Sequence, residues 1–158
     1  MGSFACRFCH GRSLKKKPPG ETEWTKNGRY TGSTELDLTP DGVKQVESTA
    51  RQLLGHGKLI DPARIAHIWI SPRKRTQQTF QLLFRNSSHF GSSLNADGVT
   101  STEEITEWDY GDYEGLLSNE IRSSRKERGL DQTSEWNIWR DGCEGGESVL
   151  KETYIYKR

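Results

Sequence analysis

The sequence predicts an α/β fold. Its strongest strand pattern is the β-branched and aromatic run 65–70, Ile-Ala-His-Ile-Trp-Ile, which is typical of a buried strand. A capped amphipathic pattern precedes this strand, and a second helical pattern follows it. Helices alternating with strands are typical of helical layers packed on a sheet. The 158 residues are enough for one ordinary domain.

The helix before the strand has clear limits. Thr39 is a candidate N-cap, Pro40 suits the first helical position, and Gly55 can end the helix. The apolar residues between these limits recur at helical spacing: Val43, Val46, Ala50, Leu53 and Leu54. The strand itself is introduced by Asp61-Pro62, and His67 inside it is expected to be packed or to face a sheet edge.

Two further helices are expected. Ser71-Pro72 would cap a helix that includes Phe80 and Phe84, and Ser118 would cap a helix through Arg128 that is closed by Gly129. A polar loop covers 85–100, and residues 1–19 are predicted to be irregular.

Composition excludes several classes of partner. The 23 Lys and Arg against 22 Asp and Glu give a net charge of +1, so no global field favours nucleic acid or a membrane surface. No apolar run approaches the roughly 20 residues that span a bilayer, and the first residues lack a signal-peptide core. A cytoplasmic protein is expected, with a nuclear location also open. The oligomeric state cannot be inferred.

Three cysteines form no even disulfide framework. Cys6-Arg-Phe-Cys9-His10 matches the C-x-x-C-H pattern of haem attachment and could equally be half a zinc site. The export signal that haem attachment would need is absent, and no second metal-binding pair follows. We therefore expect incidental thiols and no metal.

Two blocks suit phosphate binding. The loop 20–32 is polar and glycine-rich, so its backbone N–H groups could close around a phosphate. The block 71–79 directly follows the strand and places Arg75 at the carboxyl edge of a sheet, where α/β proteins bind ligands. The fixed guanidinium fork of Arg75 suits bidentate contact with phosphate, whereas Arg73 and Lys74 are expected to be solvated.

A third block, 105–115, is rich in acidic residues. Glu107 lies between Ile105 and Trp108, and apolar neighbours favour the protonated form of a carboxyl group. Glu114, in a Tyr-Glu-Gly turn, is expected to brace the loop.

The fourth block, 136–148, contains two tryptophans and Arg140 and ends in Gly-Gly-Glu-Ser. Trp136 and Trp139 could pack beside Arg140 in a segment that faces the ligand, or they could belong to an aromatic core cluster.

In this order, over about residues 20–148, the four blocks resemble the histidine phosphatase superfamily, the phosphoglycerate-mutase-like proteins. The last two blocks, with 125–131, are similar to its fungal sedoheptulose-1,7-bisphosphatase branch.

The resemblance implies a role for each candidate residue in removing phosphate from a sugar phosphate through a phosphohistidine. Arg75 would lie in the phosphate pocket, and Glu107 would be the general acid. The other implied phosphate contacts are Thr25, Arg29, Thr31 and Gly32, with Arg140 on a distal phosphate. No cofactor is implied.

The chain departs from the family pattern at both ends. Pro18 and Pro19 stand where the family has an Arg-His pair that carries the nucleophile. Residues 1–17 lack a hydrophobic first strand, and the sequence stops before a later Ala-His-Gly strand. We expect an incomplete three-layer sandwich that lacks its first and C-terminal core strands. Its parts would be an irregular segment 1–19, a partial domain 20–148 and a non-family tail 149–158.

Three interpretations of function remain open. The first is a phosphatase-family protein that is inactive in this form because both catalytic histidines are missing. The second is a catalytically dead module that binds a phosphosugar. In the third, an altered first exon and a premature end produce the same pattern, so that independent folding is itself in question.

Overall fold

The computed structural model describes residues 20–91, 93–94 and 96–148, together with the backbone of 2–5. Its strands and helices are β1 (Gly2–Ala5), α1 (Glu23–Asn27), α2 (Pro40–Leu53), β2 (Ile65–Ile70), α3 (Lys74–Phe84), β3 (Val99–Ser101), α4 (Ser118–Glu127) and α5 (Ile138–Asp141). The motif Cys6, Cys9 and His10, Pro18-Pro19 and the tail 149–158 lie outside the described residues.

The chain divides into two compact units. The first contains the described residues of 1–23 and 35–107, and the second contains those of 24–34 and 108–148. The first unit is an α/β unit, which confirms the predicted fold class. None of the helices in the described part of the chain has both the length and the apolar composition of a membrane-spanning segment.

The sheet of the first unit has three parallel strands in the order β1–β2–β3. Strand β2 is central, as its apolar sequence predicts, and covers the expected residues. The prediction that 1–19 is irregular is wrong for Gly2–Ala5, whose backbone pairs with β2. The predicted loop 85–100 likewise ends too late, because β3 begins at Val99. Both missed strands are short and gain their hydrogen bonds from β2 rather than from a local pattern.

Helix α2 follows the prediction closely. The Thr39 side chain accepts a hydrogen bond from the Gly42 N–H at 3.0 Å, and Pro40 is the first helical residue. A Cβ atom at Gly42 would lie 2.2 Å from the Glu21 carbonyl oxygen. Only glycine therefore lets the segment at Glu21 pack directly on the helix. The Thr39 N–H also donates to that carbonyl oxygen at 2.8 Å, so this segment is anchored to the start of α2.

Helix α3 packs on α2, and α3 and β2 together supply most of the core of the first unit. The buried side chains of this core are Ile68, Ile70, Phe80, Phe84 and Phe90. The prediction that Ser71 caps this helix is wrong, because the N-cap residue is Arg73 and its side chain makes no capping hydrogen bond. The Ser71 hydroxyl instead accepts from the Arg73 N–H at 3.3 Å, and Arg73 directly precedes the first helical residue, Lys74.

The second unit has its own, largely aromatic core. Its buried members are Trp108, Tyr110, Tyr113, Ile121, Trp136 and Cys143. Burial raises the pKa of the Cys143 thiol to about 11, so this thiol stays protonated at neutral pH.

Helix α4 of this unit begins differently from the prediction. Ser118 is its first helical residue rather than its cap, because Leu117 is the N-cap and donates its N–H to the Glu120 carboxylate at 2.7 Å. The helix closes as expected at Gly129, which has a φ of +70°. The Gly129 N–H donates to the Lys126 carbonyl, in the manner of a Schellman motif.

A buried ion pair joins α4 to the segment that follows it. Arg125 contacts the Asp131 carboxylate at 2.8 to 3.2 Å and donates to the Tyr113 hydroxyl at 2.6 Å. The side chains of Arg125 and Asp131 are only 10% and 12% exposed. Each charge therefore depends on the other for its compensation.

Candidate phosphate-binding site

The two central candidates, Arg75 and Glu107, follow strands whose carboxyl ends lie at the same edge of the sheet. Strands β2 and β3 are neighbouring and parallel, so the segments that follow them leave from the same edge. Arg75 lies in the first turn of α3, just after β2, and Glu107 lies shortly after β3. The Thr102 N–H donates to the Ile70 carbonyl at 2.9 Å and so holds the exit of β3 against the end of β2. Both candidate side chains are half-buried.

Arg75 is aimed by the start of α3. Because Cα–Cβ bonds tilt toward a helix N-terminus, a residue in the first turn directs its side chain back toward the sheet edge. The position of this turn therefore decides where the Arg75 guanidinium can reach.

The first turn of α3 is held by acidic residues from a distant segment. Glu35 accepts from the Lys74 N–H at 2.7 Å and from the Arg73 guanidinium at 3.1 Å. Arg73 also contacts Glu103 at 3.2 Å.

The expectation that Arg73 and Lys74 are solvated is wrong for Arg73, whose side chain is only 23% exposed because two carboxylates hold it. Lys74 is about half exposed but is paired with Asp37 at 2.8 Å.

Sequence reasoning missed Glu35. Partial burial tends to raise the pKa of its carboxyl group, but the Lys74 N–H and the positive charges of Arg73 and Arg75 together hold that pKa below its usual value. Glu35 is therefore ionised at neutral pH. One signal could have found it: the acidic residues Glu35 and Asp37 complement the basic run 73–75.

In the second unit, Glu114 holds the predicted phosphate loop. Its carboxylate accepts from the Gly32 N–H at 2.9 and 3.0 Å and from the Thr34 N–H at 3.0 Å. This confirms the expected bracing role. A Cβ atom at Gly32 would lie 2.3 Å from the Trp108 carbonyl oxygen, so the close approach here requires glycine.

Arg29 and Thr31 lie on the same segment as Gly32. The Arg29 guanidinium donates to the Gly115 carbonyl at 2.6 Å and lies 3.4 Å from the Glu120 carboxylate. The Thr31 hydroxyl donates to the Arg29 carbonyl at 3.2 Å. These contacts give the segment a fixed conformation. Thr25 precedes it in α1 and is half-buried.

Arg140 lies in α5, at the surface of the second unit. Its guanidinium contacts the Asp141 carboxylate at 2.8 Å and donates to the Glu135 carbonyl at 2.6 Å. Trp136 belongs to the core and donates to the Gly142 carbonyl, whereas Trp139 is 65% exposed. The interpretation as an aromatic core cluster is therefore confirmed for Trp136. The phosphate contacts assigned to Arg140 and to the loop residues stay predictions.

Three of the four histidines lie among the described residues. His67, in β2, has its Nε2 2.9 Å from the Thr100 hydroxyl, and His56 lies 3.3 Å from Asp61. His89 packs edge-on against Phe90. Within the described part of the chain, no three His, Cys, Asp or Glu side chains are grouped to hold a metal ion.

Comparison with known proteins extends these observations. The family model for the histidine phosphatase superfamily (branch 1) matches residues 20–152. Sedoheptulose 1,7-bisphosphatase of Saccharomyces cerevisiae is 44% identical over 130 residues, which are 82% of this chain and 47% of that protein. An acid phosphatase of Mycobacterium tuberculosis is 42% identical over 132 residues, which are 84% of this chain and 53% of that protein. The chain thus spans about half the length of these relatives.

The fold has a matching solved structure as well. The product of a Mycobacterium tuberculosis open reading frame superposes with a TM-score of 0.58 at 31% identity, over 87% of this chain and 61% of that one. The family match over residues 20–152 includes the loop 20–32, the segment after β2 and the acidic block. The chain therefore belongs to the histidine phosphatase superfamily, branch 1.

Proposed function

We propose that this chain binds the phosphate group of a phosphorylated sugar at the carboxyl edge of its parallel sheet and does not turn it over. One observation carries the proposal: Arg75 and Glu107 follow the carboxyl ends of two adjacent parallel strands. An arginine at this edge can bind phosphate bidentately, because its donors form a fixed fork. Glu107 would be the acid that protonates the leaving oxygen in the parent reaction.

The class of ligand follows from the relatives' names. One is a sugar bisphosphatase and another is an acid phosphatase, and both names describe the removal of phosphate from a monoester. A sugar bisphosphate is the preferred candidate, because the relative that bears this name is 44% identical to the chain.

Absence of turnover follows from Pro18-Pro19. These residues stand directly before Gly20, where the family has the Arg-His pair with the phosphate-accepting histidine. A prolyl ring has no group that can attack phosphorus. Loss of a nucleophile that works as one unit with its pocket can lower a rate on the order of 10⁶-fold. We therefore expect binding without detectable release of phosphate.

Isothermal titration of the full chain with sedoheptulose 1,7-bisphosphate tests the binding. Arg75→Ala is expected to raise Kd about 10- to 100-fold, because a hydrogen bond to a charged group contributes about 1.5–3 kcal/mol. The matched control is Arg64→Ala, which removes the same charge from an exposed residue at the amino end of β2. Equal effects of the two substitutions, or no saturable binding by the wild type, would refute the proposed site.

Phosphate release from the same bisphosphate tests the absence of turnover. The expected result is no release above that of buffer. Release by the wild-type chain that Glu107→Gln abolishes would show instead that the chain is an active phosphatase.

A further inference from the structure

Helix α3 has an N-cap residue whose side chain does not cap the helix. Its N-cap residue, Arg73, makes no side-chain capping bond, and a guanidinium has no acceptor with which to make one. The first N–H group of the helix is instead satisfied by Glu35, whose carboxylate lies 2.7 Å from the Lys74 nitrogen. An acidic side chain at this end also complements the helix dipole. Glu35 thus caps the N-terminus of α3, although it lies 39 residues from Lys74 in the sequence.

A second set of contacts holds the first turn and the residue that follows it, Gln78. The segment 35–38, here called the acidic strap, crosses the first turn of α3. Within it, Asp37 pairs with Lys74 at 2.8 Å, and the Leu38 N–H donates to the Gln78 side chain at 2.9 Å. Because the strap contacts both the backbone and the side chains of the turn, it fixes the point at which the helix begins.

We propose that Glu35 is a positioning residue for phosphate binding, because it sets the first turn of α3 from which Arg75 reaches the ligand. The inference rests on the phosphate-binding function proposed above. Glu35 acts through the helix backbone and need not touch the phosphate itself. A shift of the turn would displace the Arg75 guanidinium, and misplacement by about 1 Å is costly where a fixed bidentate geometry is needed.

Glu103 provides a matched control. Glu35 and Glu103 each bind one terminal nitrogen of the Arg73 guanidinium, at 3.1 and 3.2 Å. Glu35→Ala and Glu103→Ala therefore make the same change in net charge and remove a similar ion pair from one arginine. Only Glu35 also binds the backbone of α3, through Lys74. A difference between the two variants reports the capping contact together with the charge that Glu35 places near Arg75, and Glu35→Gln separates these two effects.

The test measures Kd for the bisphosphate and for inorganic phosphate, at a temperature where circular dichroism shows each variant to be folded. Glu35→Ala is expected to weaken binding about five- to tenfold, whereas Glu103→Ala should change Kd less than about twofold. Glu35→Gln, which keeps an acceptor for the Lys74 N–H but loses the charge, should weaken binding by an intermediate factor. It supplies the comparison if the alanine variant fails to fold.

Two results would overturn the inference while leaving the proposed function intact. One is an equal loss of affinity in the Glu103 variant, which would indicate a general charge effect. The other is tighter binding by the Glu35 variants, which would mean that this carboxylate competes with phosphate.

Amide hydrogen exchange separates the inference from the proposed function. Faster exchange at residues 74–77 in Glu35→Ala, but not in Glu103→Ala, would show that Glu35 orders the turn. If the wild type binds neither the bisphosphate nor inorganic phosphate, the proposed function is refuted, and so is the role of Glu35 in binding. Unchanged exchange in Glu35→Ala would refute the ordering of the turn whatever the titrations show.

Discussion

Replacement of Glu114 by alanine should destabilise the second unit strongly. The Glu114 carboxylate satisfies two backbone N–H groups, those of Gly32 and Thr34, at 2.9 to 3.0 Å. Gly32 is buried, so its N–H would lose the bond to Glu114 without gaining water. We assign about 2 kcal/mol to Gly32 and about 1 kcal/mol to the more accessible Thr34 contact, which gives a loss of about 3 kcal/mol. For a chain of this size, that loss lowers Tm by about 6–12 °C.

Urea unfolding followed by tryptophan fluorescence measures this loss, because Trp108 and Trp136 are buried in the core of the second unit. Glu127→Ala provides the control, since Glu127 is an exposed acid at the end of α4 and should change the free energy of unfolding by no more than about 0.5 kcal/mol. Glu114→Gln, which keeps one acceptor oxygen, should lose about half as much as the alanine variant. A Glu114→Ala variant as stable as the Glu127 control would refute the reasoning.

Two further predictions concern ionised side chains. Asp131→Ala should lower the free energy of unfolding by about 3–5 kcal/mol, because it leaves the Arg125 charge buried without its partner; urea unfolding beside the Glu127 control measures this. The stabilisation contributed by Glu35 should depend on pH. Its pKa is lower in the folded state than in the unfolded chain, so the stabilisation is complete above the unfolded pKa and is lost as pH falls through the folded one. The stability gap between wild type and Glu35→Ala should therefore be largest near neutral pH and shrink below about pH 4, as urea midpoints across this range would show.

Each of these predictions has a clear contrary outcome. A loss of less than about 1 kcal/mol in Asp131→Ala would mean that the Arg125 guanidinium reaches water or another acceptor. A gap between wild type and Glu35→Ala that stays constant from neutral to acid pH would mean that the Glu35 carboxylate contributes no charge-dependent stability.

The sequence predicts best the elements whose signals are local. Helix α2 has its cap, its first-position proline and its apolar spacing within one continuous segment, and its observed limits are Pro40–Leu53. Strand β2 is marked by its β-branched run. Gly129 alone predicts the Schellman-type end of α4, because glycine readily adopts the positive φ that this end requires.

Elements that depend on a partner were missed. Strands β1 and β3 contain four and three residues, too few to show an alternating pattern. They form strands because β2 offers hydrogen bonds on both of its sides. The residues of the candidate site divide in the same way. Arg75 and Glu107 are marked by their position relative to family motifs. Glu35 belongs to none of these motifs; the sequence shows only that its charge complements the basic run 73–75, and the structure shows that it binds the start of α3.

The carboxylates that hold the predicted phosphate-binding segments act on backbone N–H groups. In the second unit Glu114 binds the N–H groups of Gly32 and Thr34, and in the first unit Glu35 binds the N–H of Lys74. A backbone donor is present at every residue except proline, so such a contact places almost no demand on the residue that donates. The contact therefore restricts only the acidic residue, whose carboxylate must reach the donor N–H and stay ionised. Charge complementarity between residues 35–37 and 73–75 therefore reveals only the contacts between side chains. Substitution of the acids tests the backbone contacts, because changes to the Thr34 side chain should be tolerated, whereas the loss of Glu114 or Glu35 should not be.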